Sequence, residues 1–303
     1  MSDTTDRALP VWRSALYVPS NVPKFIDGAH KRGADAIIVD LEDSVPIAER
    51  PAARRDLMAT AENVARGGAD VIVRINRPWR QTMLDLEAAI SPRVKALAIT
   101  KVDSADHIKL IAEVVSELEA ERGMEVGSTQ FMAMIETPGA WFQMPQIARA
   151  SPRIVGLTLG GEDFALEMGM LPTAEALMMP KQQLAIAARS AGILPLGFIG
   201  TVADYKDLDA FRETVRRSRR LGFRGASVIH PAQVPILNEE FAPSADEVAS
   251  AKKIVAAYDE AVAAGRGSIS VDGKMIDVPV VLRAQGLLAI HTAIQEREAR
   301  KVK

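Results

Sequence analysis

Short apolar runs alternate with longer amphipathic stretches from the start of the chain to about residue 230. The runs are Ser14–Val18, Ala36–Val39, Val71–Ile75, Ala96–Ile99, Phe131–Ile135, Ile154–Leu159, Ile193–Leu196 and Ala226–Ile229. They are largely continuous rather than alternating, as in strands buried on both faces. Stretches such as Asp106–Arg122, Lys181–Ser190 and Asp207–Leu221 read as helices between them. Strand and helix in alternation predict a parallel α/β sheet. Eight such runs over about 230 residues predict a (β/α)8 TIM-type barrel. A doubly wound open sheet is the alternative, because periodicity does not say whether the sheet closes.

After residue 231 the pattern changes. Ser244 followed by Glu247 is a capping box that opens a helix running to about Gly265. Gly265-Arg266-Gly267 reads as a flexible break and Asp272-Gly273 as a hairpin turn. A last helix is expected from about Val278. The chain therefore divides into a barrel over 1–242 and a C-terminal helical and hairpin extension over 243–303, packing on the barrel or on another subunit.

Composition narrows the function classes. The chain has 303 residues, 48% hydrophobic and 25% charged, which suits one large globular domain with an appendage. A net charge of −2 supplies no global field for nucleic acid or an anionic membrane. No apolar stretch is long enough to span a bilayer. The start, Met1 to Asp6, lacks the basic and apolar regions of a secretory signal. With no cysteine there is no disulfide, thiolate metal site or cysteine nucleophile, which fits a cytoplasmic setting.

Candidate chemistry collects where the strands end. Barrel enzymes carry their active sites at the C-terminal ends of the strands. There this chain has Asp40, Glu42 and Asp43, Arg74 with Asn76, Lys101, Glu136, Glu162-Asp163 and His230. Pro138 and Gly160-Gly161 stop two strands just where Glu136 and Asp163 appear. Two hard oxygen ligands facing one polar space suit Mg²⁺, with Mn²⁺ as a substitute, and leave positions for water and substrate. Helix capping or pairing with a nearby arginine is the competing reading. Glu42 and Asp43 are expected just outside such an ion, accepting hydrogen bonds from its water. Arg74, flanked by apolar residues, requires an anionic partner: a substrate oxyanion, or Asp40 or Glu42 in a structural ion pair. His230 reads as a core histidine, and His30, His107 and His291 as helix-surface residues.

The chain resembles the HpcH/HpaI aldolase and citrate lyase β-subunit-like superfamily, in particular its CoA-ester lyase branch (malyl-CoA, citramalyl-CoA and citryl-CoA lyases). The resemblance rests on Arg13-Ser14 with Val18-Pro19, Asp40 to Val45, Val73 to Asn76, Glu136-Thr137, Gly161 to Asp163, Gly222-Phe223 with Ile229 to Gln233, and Gly273 to Asp277. It implies a β-hydroxyacyl-CoA cleaved reversibly to an acyl-CoA and a small 2-oxo acid, in a trimer or hexamer. It also implies Mg²⁺ on Glu136 and Asp163, Arg74 on the keto-acid oxygen, and Asp277 as an acid/base reaching a neighbouring subunit's site. By residue type alone Asp277 is an N-cap before Pro279. A CoA thioester needs cations or amides for its phosphates, and Arg13, Lys24 and Lys101 are the candidates. The chain departs from the pattern at Gly197-Phe198-Ile199-Gly200, where many of these lyases have Ala-Ile-Asp. A citrate lyase β-subunit using an acyl-carrier thioester, a CoA-independent keto-acid aldolase and a non-catalytic binding barrel are the other readings.

Overall fold

The computed structural model describes residues 9–200, 207–265, 269–271 and 273–301. The N-terminal reading at Met1 to Asp6, Arg266 and Gly267 of the break, and Asp272 of the turn lie outside the described residues. Internal contacts divide the chain into Met1–Phe241 and Ala242–Lys303.

The first unit is built on β1 (Ser14–Pro19), β2 (Ala36–Asp40), β3 (Asp70–Ile75), β4 (Ala96–Ile99), β5 (Gln130–Ile135), β6 (Ile154–Leu159), β7 (Leu194–Leu196) and β8 (Ala226–Val228). All neighbouring strands pair in parallel, in the order β7-β6-β5-β4-β3-β2-β1-β8. A parallel bridge between Leu196 and Gly225 joins the two ends, with Gly197 N donating to Gly225 O at 2.8 Å. The sheet therefore closes into a TIM-type barrel, and the open-sheet alternative is set aside.

The strands look continuously apolar because both faces are buried, each in a different core. Ile37, Val39, Val71, Val73, Leu97, Ile99, Phe131 and Ala133 face outward into the layer between strands and helices. Ala36, Ile38, Ile72, Ala96, Ala98, Met132 and Met134 form a second cluster with Trp12 and Leu196, filling the barrel interior. The side-chain period of two then sets the top of the interior. Continuing Ala36 and Ile38 gives Asp40, continuing Ile72 gives Arg74, and continuing Met132 and Met134 gives Glu136. All three are buried or nearly so.

The second unit has a helix at Ala245–Ala263, opened by the reciprocal capping box: Ser244 Oγ accepts from Glu247 N and Glu247 Oε2 accepts from Ser244 N. An antiparallel hairpin pairs Ile269–Val271 with Lys274–Ile276, and Gly273 takes the left-handed φ of +75° that the turn requires. The last helix spans Val278–Lys301. No helix among the described residues is long and apolar enough to cross a membrane.

Candidate active site

A cavity of about 740 Å³ opens at the C-terminal ends of the strands. Tyr17, Asp40, Arg74, Met134, Glu136, Thr158, Asp163, Lys181 and His230 are among its lining residues. Its walls mix apolar side chains with a few convergent charges, the usual make-up of a small-molecule site.

One wall is an ion-pair network. Asp40 accepts Arg74 Nε and Nη2, each at 2.6 Å, and also Ser44 Oγ and Glu42 N. Arg74 Nη1 reaches Glu42 Oε2 at 3.0 Å and Asp43 Oδ2 at 3.5 Å, and the guanidinium lies 5.0 Å from the Tyr17 ring centroid. Burial pushes the Asp40 carboxyl up, but the hydrogen bonds and charge of Arg74 outweigh it and hold it below its ordinary value. Burial holds the Tyr17 hydroxyl well above its ordinary value, so it stays protonated. Both anticipated partners of Arg74, Asp40 and Glu42, are therefore engaged at once. Glu42 and Asp43 lie in this network, with Asp43 the more exposed of the two.

Lys101 ties that network to Glu136. It is the sole non-glycine residue with positive φ among the described residues, at +48°. Its backbone N donates to Glu136 Oε2 at 2.5 Å, while Nζ donates to Glu42 Oε1 at 2.7 Å. A lysine in the left-handed region is strained, and strain of this kind is sustained where the surroundings impose it. Lys101 thus holds two carboxylates at once, rather than reaching outward for a phosphate as its sequence position had suggested.

Glu136 is 2% exposed. Burial pushes its carboxyl up to about 7, the charge of Asp163 adds to that rise, and the Lys101 amide opposes it. Asp163 stands in the first turn of the helix Gly161–Met168. Gly160 makes room for the pair: a Cβ there would lie 2.6 Å from both Cγ and Oε1 of Glu136. Gly160→Ala is accordingly expected to push the Glu136 side chain aside, weakening divalent-cation binding about tenfold while costing no more than ~1–3 kcal/mol of stability. A Mn²⁺ titration alongside thermal unfolding checks this. Unchanged affinity would mean that Glu136 holds no ion.

The donor set fits Mg²⁺. Glu136, buried and facing the charge of Asp163, is relieved by a hard cation, and Mg²⁺ uses one or two carboxylates and keeps its remaining positions for water and substrate. Among the described residues no group of three or more His, Asp or Glu is placed to hold a metal ion.

The expectations for Arg13, His107 and His230 need correction. Arg13 precedes β1, so it lies at the opposite end of the barrel from the cavity. It is 5% exposed, with Nε and Nη2 bonded to Asp35 at 2.8 and 2.9 Å, and cannot serve a ligand at the strand tips. His107 is buried rather than on the helix surface; burial lowers its imidazole to about 4, so it is neutral. His230 is half-buried on the cavity rim, where its Nδ1 accepts from Ala232 N. Lys24 is exposed at the cavity edge. Asp277 belongs to the second unit and caps its last helix: its backbone carbonyl accepts from Val280 N and Val281 N. Residue pattern had not singled out Tyr17 or Lys181. Lys181 is buried in the helix Ala174–Ser190, and only its neighbours in space reveal it.

The model of the HpcH/HpaI aldolase/citrate lyase family matches residues 13–231. The chain is 33% identical over 286 residues to the citrate lyase subunit beta of Leuconostoc mesenteroides subsp. cremoris, covering 93% of each protein. It is 31% identical over 296 residues to the L-malyl-CoA/beta-methylmalyl-CoA lyase of Rhodobacter capsulatus, covering 90% of this chain and 92% of that one. A solved structure of CitE from Mycobacterium tuberculosis, in complex with magnesium, acetoacetate and coenzyme A, superposes with a TM-score of 0.72 at 26% identity, covering 92% of this chain and 97% of that one.

Proposed function

We propose that this chain, which belongs to the HpcH/HpaI aldolase/citrate lyase family and is a carbon–carbon lyase, cleaves a β-hydroxyacyl-CoA reversibly to an acyl-CoA and a small 2-oxo acid, with Mg²⁺ held by Glu136 and Asp163. The observation that carries the reading is Glu136 itself: a buried carboxylate at a strand tip, raised to about 7 by burial and by Asp163, beside an open cavity. The magnesium, acetoacetate and coenzyme A bound by the CitE relative support the cofactor and substrate class.

The cleavage needs a proton removed from the hydroxyl, a stabilised enolate, and a hold on the new 2-oxo acid. When bound, Mg²⁺ supplies Lewis acidity and a template for the keto-acid oxygens. Asp40 clamps one edge of Arg74 and leaves Nη1 shared between Glu42 and the more exposed Asp43. A substrate oxygen can displace the 3.5 Å Asp43 contact without stranding Arg74 or Asp40. Asp277 from a neighbouring subunit takes the hydroxyl proton and returns one to the enolate carbon. A trimeric or hexameric assembly, a cytoplasmic setting, Mn²⁺ as a substitute and a role for Lys24 at the CoA phosphates belong to the same proposal.

Malyl-, citramalyl- and citryl-CoA offered to the purified chain, with and without EDTA, test it. Release of a 2-oxo acid or oxaloacetate from at least one, abolished by EDTA and restored by Mg²⁺, is expected. Turnover indifferent to chelation would overturn the mechanism. The similarity to citrate lyase subunit beta favours one second reading, an acyl-carrier thioester as substrate. Failure with every free CoA ester but turnover of a carrier-bound one would select it.

A further inference from the structure

Lys181 stands apart from the ion-pair network. Its Nζ donates to Phe198 O at 2.7 Å and Gly200 O at 2.5 Å, both just beyond β7, and lies 5.4 Å from the Phe198 ring centroid. The residue is 7% exposed and lines the cavity. No carboxylate among the described residues forms an ion pair with it, and Gly197 to Gly200 contain no acid. An ammonium has three donors, and two are spent on carbonyls that carry no net charge. Burial pushes the ammonium down to about 8, against the pull of the Glu162 charge. Arg74, by contrast, is already shared among three carboxylates.

A buried ammonium gains most from an anionic acceptor, and Lys181 lines the cavity in which a substrate would supply one. We propose that Lys181 is a second anion-recognition point of the cavity, donating its remaining N–H to an anionic oxygen of the bound substrate at a place separate from Arg74. This rests on the lyase reading above and deepens it. The anionic oxygen has two possible sources: a second carboxylate on the 2-oxo acid or acyl chain, held in the ground state, or the thioester oxygen as enolate charge develops.

Calorimetry with pyruvate and with oxaloacetate in saturating Mg²⁺, together with kcat and KM, separates the sources in Lys181→Met and Lys181→Arg. A hydrogen bond to a charged group is worth roughly 10- to 100-fold, and that loss is expected in Lys181→Met with recovery in Lys181→Arg. A loss confined to oxaloacetate affinity identifies the carboxylate. A loss confined to kcat, with KM and both affinities kept, identifies the enolate. Unchanged affinities and unchanged kcat in a folded Lys181→Met would overturn the proposal.

If Lys181→Met does not fold, amine labelling of the wild-type chain read by mass spectrometry asks the same question. Oxaloacetate or an acyl-CoA should slow modification of Lys181, and labelling at an unaltered rate with both would sink the idea. The binding and labelling arms need no turnover. Failure of the lyase reading would appear as absent cleavage, and failure of this inference as an indifferent Lys181.

Discussion

Replacing Glu136 by Gln is expected to lower divalent-cation affinity by about 100-fold or more and lyase turnover by roughly 10³-fold, equivalent to ~4 kcal/mol of lost charge stabilisation. The substitution keeps the side chain's shape and its acceptor for Lys101 N, so the barrel should remain intact. The wild-type cation affinity should also depend on pH. A proton and the ion compete for the same carboxylate, and burial with the Asp163 charge sets that competition at about 7. Affinity should rise by up to about tenfold per pH unit below that value and flatten above it. Stability without the ion has the opposite slope. An acid whose folded pKa is raised contributes fully below its unfolded value of 4.5, and that contribution is lost as pH rises through about 7. The loss amounts to ~3 kcal/mol for this one group. Glu136→Gln should abolish that particular loss. Calorimetric Mg²⁺ titrations and denaturant unfolding across this range check both slopes; identical pH profiles in the two proteins would refute the assignment.

Arg74→Met should have the second large effect, on stability as well as activity. It leaves Asp40 and Glu42, with side chains 2% and 6% exposed, without the guanidinium that faces them. Breaking a buried pair from one side costs about 3–5 kcal/mol, because the remaining charge is stranded. The deficit should shrink on acidification. The Asp40 pKa is depressed in the native protein, so the stability it gains from Arg74 is present above its unfolded value and lost as pH falls through the native one. Arg74→Met has little of that gain to lose. Arg74→Lys keeps a charge but not the two-point grip on Asp40, and should fall between the two. Urea unfolding at neutral and acid pH decides it. A constant difference between wild type and Arg74→Met would show that Asp40 is not held by this arginine.

Much of the site could be read from chain direction and side-chain alternation. Glu136 follows an apolar run whose period of two carries Met132 and Met134 inward, so the next inward residue is the carboxylate. Arg74 and Asp40 follow by the same count. The error at Arg13 was avoidable on the same ground, since it stands before β1 and must emerge at the other end. His107 and Lys181 were less accessible. Each lies in a helix whose polar residues mostly face water, and what surrounds it comes from segments distant in sequence.

The sequence by itself determined the eight strands, their parallel pairing through intervening helices, and the carboxylates at their tips, because strand burial and turn chemistry are local properties. Tertiary structure decided which of those charges neutralise one another and which do not. Side-by-side pairing of β2, β3, β4 and β5 puts Asp40, Arg74, Glu42, Lys101 and Glu136 in one network, while among the described residues Lys181 Nζ donates to two carbonyls instead. The physical reason is that the cost of a buried charge depends on every group within a few ångströms, and chain spacing does not encode that neighbourhood.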